Sequence, residues 1–304
     1  MSKQHHHHSP SLKPRKRGLR ILPHSGGYVV HVTSRVVQQK FLFSDPEKAE
    51  FRDLLYRWAD FSGIGILTYC LMKNHVHLLL WVPPVQQVHA DEILRRIERV
   101  WPERKVRAWI ASYQSSPASL KSEMEADLTR RMHNLPDFMR VLKQAFSSWY
   151  NKKHKLYGVF WDGRYRSMVL KDSPEALYSV AAYIDLNPVR AGCCITPREY
   201  PWSGYGQATR GNLRCQNGLQ QLVHLAKQAA PPELRLRTDR RRSPGKPVKW
   251  RLAQTLYRAW LYAKGHATSS APHANKPMPR RGFSTEEVLA VFIKTIKEIN
   301  ESKR

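Results

Sequence analysis

The 304-residue chain carries 51 lysines and arginines against 24 aspartates and glutamates, which gives a formal net charge of +27 and a pI near 10.2. An excess of this size indicates a polyanionic partner, and nucleic acid is the usual one because each neutralised phosphate releases a counterion. A basic protein without such a partner fits the composition less well. No segment reaches the roughly 20 apolar residues of a membrane span, so no membrane association is expected.

Cysteine usage and the N-terminal residues indicate a cytoplasmic protein. None of the four cysteines lies in a Cys-x-x-Cys motif, which is typical of reduced, structural thiols. The first residues contain no apolar stretch of the kind that a signal peptide requires. Together with the charge, this predicts a cytoplasmic, nucleoid-associated location. His5 to His8 resemble a tag or a metal-binding tract, and we set them apart from the candidate site.

The chain begins with a basic segment and then alternates between strand and helix signals. Residues 1–26 are rich in Lys, Arg, Pro, Ser and His, which predicts a flexible basic arm able to lie along phosphates. A strand is predicted over 28–37, with His31 on one of its faces. A helix follows, because Ser44 is a typical N-cap, a proline occupies the first turn, and Gly63 can end the helix.

The next stretch, residues 64–82, predicts two strands joined by a tight turn at Lys73 and Asn74. Successive strand side chains point to opposite faces, so His75 and His77 share one face about 7 Å apart along the strand. An isolated pair of this kind is more often merely solvated. Here the flanking residues are apolar, and two unpaired imidazoles are costly to bury. A shared metal ion would remove that cost.

The middle of the chain completes the fold. An insertion is predicted over about 84–134, with a basic helix near 93–101, a break at 115–117 and a second charged helix. A long helix over 135–155 and a fourth strand over 165–169 follow. The order strand, helix, strand, strand, helix, strand predicts an α+β, ferredoxin-like fold, a four-stranded antiparallel sheet with helices on one face.

A further helix is predicted after the fourth strand, with a phenol and a carboxamide near its end. Ser173 is its predicted N-cap, Pro174 its first residue, and Pro188 prevents its continuation. Tyr183 and Asn187 are four residues apart, which predicts that they lie on one face near the helix end.

A second tyrosine has the same spacing to a polar partner. Tyr150 and His154 are also four residues apart on a helix, so spacing alone does not choose between the two tyrosines. We interpret this second pair as a helix-surface position in a lysine-rich turn.

The remaining residues, 207–304, predict a basic and mostly helical extension. It contains a short helix around 219–229, an arginine run over 235–242, and a basic aromatic helix over 248–264. A last helix is predicted from the capping box that begins at Ser284.

Three blocks together resemble a known family. Met72 to Leu80, Phe160 to Ser167 and Tyr183 to Gly192 look like the REP-associated tyrosine transposases, a branch of the HUH single-strand nuclease and transposase superfamily. The resemblance covers roughly residues 27–206, which we expect to form the catalytic domain. One His-x-His motif would be a weak signal, but three blocks in the right order are specific.

The resemblance implies a site and a reaction. His75 and His77 would bind a divalent cation, Asn187 would be the third ligand, and Tyr183 the nucleophile. Two nitrogens and an amide oxygen are compatible with Mg²⁺ or Mn²⁺. The implied activity nicks and rejoins single-stranded DNA beside a hairpin through a 5′-phosphotyrosine, and the implied state is a monomer or homodimer.

Basic residues within and outside this domain are expected to contact DNA phosphates. They are Arg164, Arg166, Arg15, Lys16, Arg17, Arg240, Arg241 and Arg242. Two other functions remain open. One is a non-catalytic hairpin-DNA-binding or regulatory protein derived from such a transposase. The other is an RNA-binding protein with the same sheet, although no block of stacking aromatics on adjacent strands favours it.

Overall fold

The computed structural model describes residues 26–229 and 248–265, together with residue 291. Within these residues the chain forms one sheet and ten α-helices. The strands are β1 (Tyr28–Arg35), β2 (Gly65–Leu71), β3 (His75–Val82) and β4 (Arg166–Val169). The helices are α1 (Asp45–Ser62), α2 (Ala90–Ile97), α3 (Glu103–Ser115), α4 (Ala118–Thr129), α5 (Leu135–His154), α6 (Pro174–Asp185), α7 (Asn187–Arg190), α8 (Gly204–Thr209), α9 (Leu213–Ala229) and α10 (Trp250–Gly265).

The sheet confirms the predicted fold class. Its strand order is β2-β3-β1-β4, and each neighbouring pair is antiparallel. With α1 between β1 and β2 and α5 between β3 and β4, this is the ferredoxin-like order. The long histidine strand β3 lies inside the sheet, so its backbone is paired on both sides. This position fixes its side chains firmly.

Local signals place the ends of the helices that frame the sheet. Gly63 ends α1 in the left-handed conformation, with φ of 65°, which glycine adopts at little cost. Ser173 caps α6, because its side chain accepts a hydrogen bond from the N–H of Ala176 at 3.2 Å. Ser44 occupies the N-cap position of α1, but its hydroxyl donates to the carboxylate of Glu47 instead of accepting from the backbone.

The insertion differs from its prediction. It contains three helices, α2, α3 and α4, because the predicted basic helix ends at Ile97 and a new one begins after Pro102. The insertion forms a small second hydrophobic core, to which Phe61 of α1 also contributes. The insertion is therefore packed against the sheet domain through α1.

The predicted catalytic helix is also divided. It ends at Asp185, and Asn187 is the first residue of the short helix α7, so Tyr183 and Asn187 are not on one continuous helix. The reason is Pro188, which has no N–H to donate to the carbonyl of Ile184. The turn between the two helices keeps Leu186 close to helical geometry, with φ of −85° and ψ of −6°.

The described part of the C-terminal region packs on the sheet domain. Helix α9 begins at Leu213, earlier than expected, and lies against β2, while α10 packs on α6 and α9. The ring of Trp260 stacks on Tyr178 of α6 at 5.4 Å between centroids. The division into a catalytic domain over 27–206 and an extension over 207–304 stays a prediction.

Several predicted features lie outside the described residues. They are the basic arm with Arg15, Lys16 and Arg17, the run containing Arg240, Arg241 and Arg242, and the last helix with its capping box. In the portion that the structure describes, no helix is both long enough and apolar enough to cross a membrane.

Candidate active site

The strand register gathers the candidate site on one face of the sheet. Thr33 of β1 lies opposite His77 of β3, and Arg35 lies opposite His75. Antiparallel partners point to the same face, so these four side chains share it. His31, two residues before Thr33, joins them. The paired histidines therefore stand beside a third imidazole and an arginine.

His77 is at the centre of this face. Its Nδ1 atom is 3.0 Å from Nε2 of His31 and 3.2 Å from Oγ1 of Thr33, while its Nε2 atom is 3.3 Å from the side-chain amide nitrogen of Asn187. The ring of His75 is 4.9 Å from that of His77, at nearly right angles. The Nδ1 atom of His75 contacts the amide oxygen of Asn74 at 2.7 Å.

Both histidines are held neutral. Burial, followed by the nearby His75, His31 and Arg35, lowers the pKa of His77 to about 3. Burial and then Arg35 lower the pKa of His75, against a raising effect of its hydrogen bond to Asn187. A neutral imidazole has a free nitrogen lone pair, which is the form that binds metals. Both rings are therefore in the form that is able to bind a cation at neutral pH.

The donors present fit a divalent cation. Since Nδ1 of His77 is directed at His31 and Thr33, its Nε2 atom is available beside Asn187. A half-turn of the Asn187 amide would present its oxygen there. In the part of the chain that the structure describes, no three His, Cys, Asp or Glu side chains form a metal-binding group, so a third donor to an ion at His75 and His77 would have to come from another kind of side chain, such as the amide of Asn187.

Tyr183 lies over the same cluster. Its ring centroid is 5.6 Å from that of His77 and 6.1 Å from that of His31, both in edge-to-face geometry. The residue is 41% exposed, unlike the buried His77 beneath it. The guanidinium carbon of Arg190, at the end of α7, is 5.5 Å from the centre of the ring.

Tyr150 occupies a different environment. It is buried, not on the helix surface as we interpreted it, and only 6% of it is exposed. Its ring packs at a tilt against Phe160 in the aromatic core, and its centroid is 4.3 Å from that of the His154 ring. Burial and the nearby Glu47 raise its pKa. A buried phenol with a raised pKa is a poor nucleophile, which leaves Tyr183 as the exposed candidate beside the histidines.

Arg166 is the predicted phosphate contact nearest this face. The register places it opposite Thr33, and its side chain is exposed. Arg164 is exposed in the turn that precedes β4. Sequence reasoning did not single out Thr33, Arg35 or Arg190. No local pattern marks them, because strand pairing and the turn after α6 bring them to the site.

A buried carboxyl fixes α6 behind the site. Asp185 accepts hydrogen bonds from the hydroxyl of Thr68 at 3.0 Å, the N–H of Tyr205 at 3.1 Å and the hydroxyl of Tyr257 at 2.6 Å. Burial raises its pKa to about 7, while the bonds from Tyr257, Tyr205 and Thr68 lower it. Asp185 thus joins the helix of Tyr183 to β2, α8 and α10, and sequence reasoning missed it.

Fold and site together define a ferredoxin-like α+β protein in which a half-buried His75, a buried His77 and an exposed tyrosine lie beside one face of the sheet. Residues 25–121 match the family model described as "Transposase IS200 like". Over these residues the chain is similar to the IS200-like transposases, and this similarity supports a transposase-like function in DNA processing. The matched residues include His75 and His77 and end before Tyr183.

The similarity extends to one solved structure. The chain resembles the structure titled as a REP-associated tyrosine transposase bound to a REP hairpin, with 10% sequence identity and a TM-score of 0.39. The match covers 64% of this chain and 87% of that one. No curated protein matches the sequence.

Proposed function

We propose that this protein is a metal-dependent transesterase that nicks and rejoins single-stranded DNA beside a hairpin, as in DNA transposition. The observation that carries the proposal is the meeting of an exposed tyrosine ring, two neutral histidines and an amide within one cluster. The match to the IS200-like transposases supports it, and so does the net charge of +27.

The roles follow from the positions of the side chains. His75, His77 and Asn187 would hold Mg²⁺ or Mn²⁺, which as a Lewis acid would polarise the scissile phosphate. Tyr183 is the nucleophile. Arg190, beside its ring, would stabilise the negative charge that develops on the phenol oxygen and the phosphate.

The reaction exchanges one phosphodiester for another. The Tyr183 oxygen forms a bond to phosphorus and loses its proton to water. The bond between phosphorus and the 3′ oxygen breaks, and that oxygen takes up a proton. The products are a 5′-phosphotyrosine and a free 3′-hydroxyl. No bond energy is lost to hydrolysis, so the step is reversible and a new 3′-hydroxyl can displace the tyrosine.

The substrate is held through its backbone. Arg166, on the site face, and Arg164, in the preceding turn, would contact phosphates near the cut. We also propose that the protein is a monomer or homodimer with a cytoplasmic, nucleoid-associated location.

Covalent trapping tests the proposal directly. The protein is incubated with labelled hairpin DNA that carries a single-stranded tail, in the presence of Mn²⁺, and is analysed on a denaturing gel. Wild type should form a labelled adduct. The Tyr183→Phe variant should bind the hairpin with unchanged affinity and form none.

Tyr150→Phe is the matched control, because it removes the other candidate phenol and should leave adduct formation nearly as in wild type. An adduct that persists in Tyr183→Phe and disappears in Tyr150→Phe would reverse the assignment. Tight hairpin binding with no adduct in wild type would favour the second candidate, a non-catalytic hairpin-binding protein, which the strong positive charge also suits.

A further inference from the structure

A basic groove lies away from the histidine face, at the edge of the sheet formed by β2. A cavity of about 490 Å³ there is lined by side chains from α1, the segment after α2, and the start of α9. A smaller cavity of about 200 Å³ shares Tyr56, Asp60 and Arg214 with it and continues along Gly65 and Ile66 of β2. The two form one groove, which we call the β2-edge groove.

Positive charge dominates this groove. Four arginines line the larger cavity against two aspartates. They are Arg52, Arg57, Arg99 and Arg214, with Asp53 and Asp60. Groove residues come from the sheet domain, from the insertion and from the C-terminal region. The groove therefore exists only because the insertion and the C-terminal region fold onto α1.

The ion pairs in the groove leave donors available. One oxygen of Asp60 accepts from both Arg99, at 2.8 Å, and Arg214, at 3.0 Å. Each guanidinium has five N–H donors and uses one in this contact, and about half of each side chain is exposed. The guanidinium of Arg214 also lies 5.2 Å from the centre of the Tyr56 ring, which orients it.

Arg57 is the clearest sign of a missing partner. It is exposed, lines the larger cavity, and makes no ion pair with any acidic residue in the part of the chain that the structure describes. Planar guanidinium groups bind phosphate oxygens through two parallel hydrogen bonds. Several convergent arginines along an open groove suit successive phosphates better than one small anion.

We infer that the β2-edge groove binds the phosphate backbone of DNA outside the cleavage site, with Arg57, Arg99 and Arg214 as its contacts. The inference rests on the proposed function for the identity of the nucleic acid. It gives the insertion and the C-terminal region a role, since each supplies one of the three arginines.

Salt-dependent binding tests the inference without any cleavage. The probe is a fluorescein-labelled DNA hairpin with a single-stranded tail, and a second probe is an unstructured single strand of the same length. Phosphate contacts do not read sequence, so any hairpin sequence serves. Affinity is measured without divalent metal over a series of salt concentrations for Arg57→Gln and Arg57→Lys.

Loss of one phosphate contact should reduce the magnitude of the negative slope of log affinity against log salt by about 0.7 on single strands and 0.9 on duplex. At 0.15 M salt this corresponds to a loss of roughly fourfold to sixfold in affinity. Arg57→Lys keeps the charge and should keep the slope. The matched control is Arg104→Gln, an exposed arginine of α3 that lies outside the groove and should change neither quantity.

The two probes identify which part of the DNA lies in the groove. A reduced slope for Arg57→Gln on either probe, with Arg57→Lys and Arg104→Gln unchanged, supports the inference. Unchanged slopes on both probes overturn it, and so does an equal loss in Arg57→Lys. Failure of the proposed function appears separately, as a wild-type protein that binds DNA and forms no covalent adduct.

Discussion

The hydroxyl of Tyr257 in α10 forms a hydrogen bond with α6, the helix that carries the proposed nucleophile. Removing this hydroxyl tests how much the bond stabilises the fold. The hydroxyl donates to the carboxyl of Asp185 at 2.6 Å, and both residues are completely buried. Tyr257→Phe removes this bond and little volume. The remaining donors to Asp185 are the hydroxyl of Thr68 and the N–H of Tyr205.

The expected cost follows from burial. A hydrogen bond to a charged or ionisable buried group contributes about 1.5 to 3 kcal/mol, because no water can replace the lost donor. Thr68 still bonds the same oxygen of Asp185, at 3.0 Å, so we expect a value near 2 kcal/mol within that range. For a chain of this size, that lowers the midpoint of thermal unfolding by roughly 4 to 8 °C.

Urea unfolding followed by circular dichroism measures the change in free energy directly. Tyr178→Phe is the matched control. Tyr178 is a buried phenol on α6 whose hydroxyl has no hydrogen bond within the described residues, and the ring keeps its stacking on Trp260. The Tyr178→Phe substitution should lower the free energy of unfolding by less than about 0.5 kcal/mol. Equal losses in the two variants would refute the argument that the bond to Asp185 fastens α10 to α6.

Three further outcomes are expected. His31→Leu removes the ring nitrogen that faces Nδ1 of His77, so Mn²⁺ affinity measured by calorimetry should fall about 10-fold to 100-fold, while His31→Gln should retain more of it. Equal affinities would contradict this positioning role. Excess chelator should abolish adduct formation by wild type and leave hairpin binding intact, whereas an adduct that forms at full rate in chelator would exclude a metal at His77. Burial raises the pKa of Glu47, but hydrogen bonds from Lys153, Ser44 and His154 outweigh it and lower the pKa to about 2 from an ordinary 4.5. Its stabilising contribution, on the order of 3 kcal/mol, is present above pH 4.5 and is lost as the pH falls through 2, so Glu47→Gln should show a flatter acid unfolding curve than wild type.

The sequence by itself determined the elements and their order. Alternation of apolar residues marked the histidine strand, because side chains on a strand point to opposite faces at every second residue. Gly63 and Ser173 marked helix ends, because the backbone geometry and hydrogen bonds that they satisfy are local. The order of strands and helices was enough to predict the ferredoxin-like sheet, since few ways exist to pair such elements.

Tertiary structure decided which side chains meet. His31 stood on a predicted strand with no sign of its partner, and only the pairing of β1 with β3 brings it within 3.0 Å of His77. The single-helix arrangement of Tyr183 and Asn187 failed because Pro188 interrupts the backbone hydrogen bonds, yet the turn still delivers the amide to His77 at 3.3 Å.

The packing surfaces of the C-terminal helices likewise depend on the tertiary structure. An apolar stripe predicts that a helix is buried but carries no information about the surface that buries it. Residues far apart in the chain meet in the docking of α10 on α6, in the hydrogen bond from Tyr257 to Asp185, and among the arginines that line the β2-edge groove. Such contacts depend on the packing of whole elements, so only the folded chain specifies them.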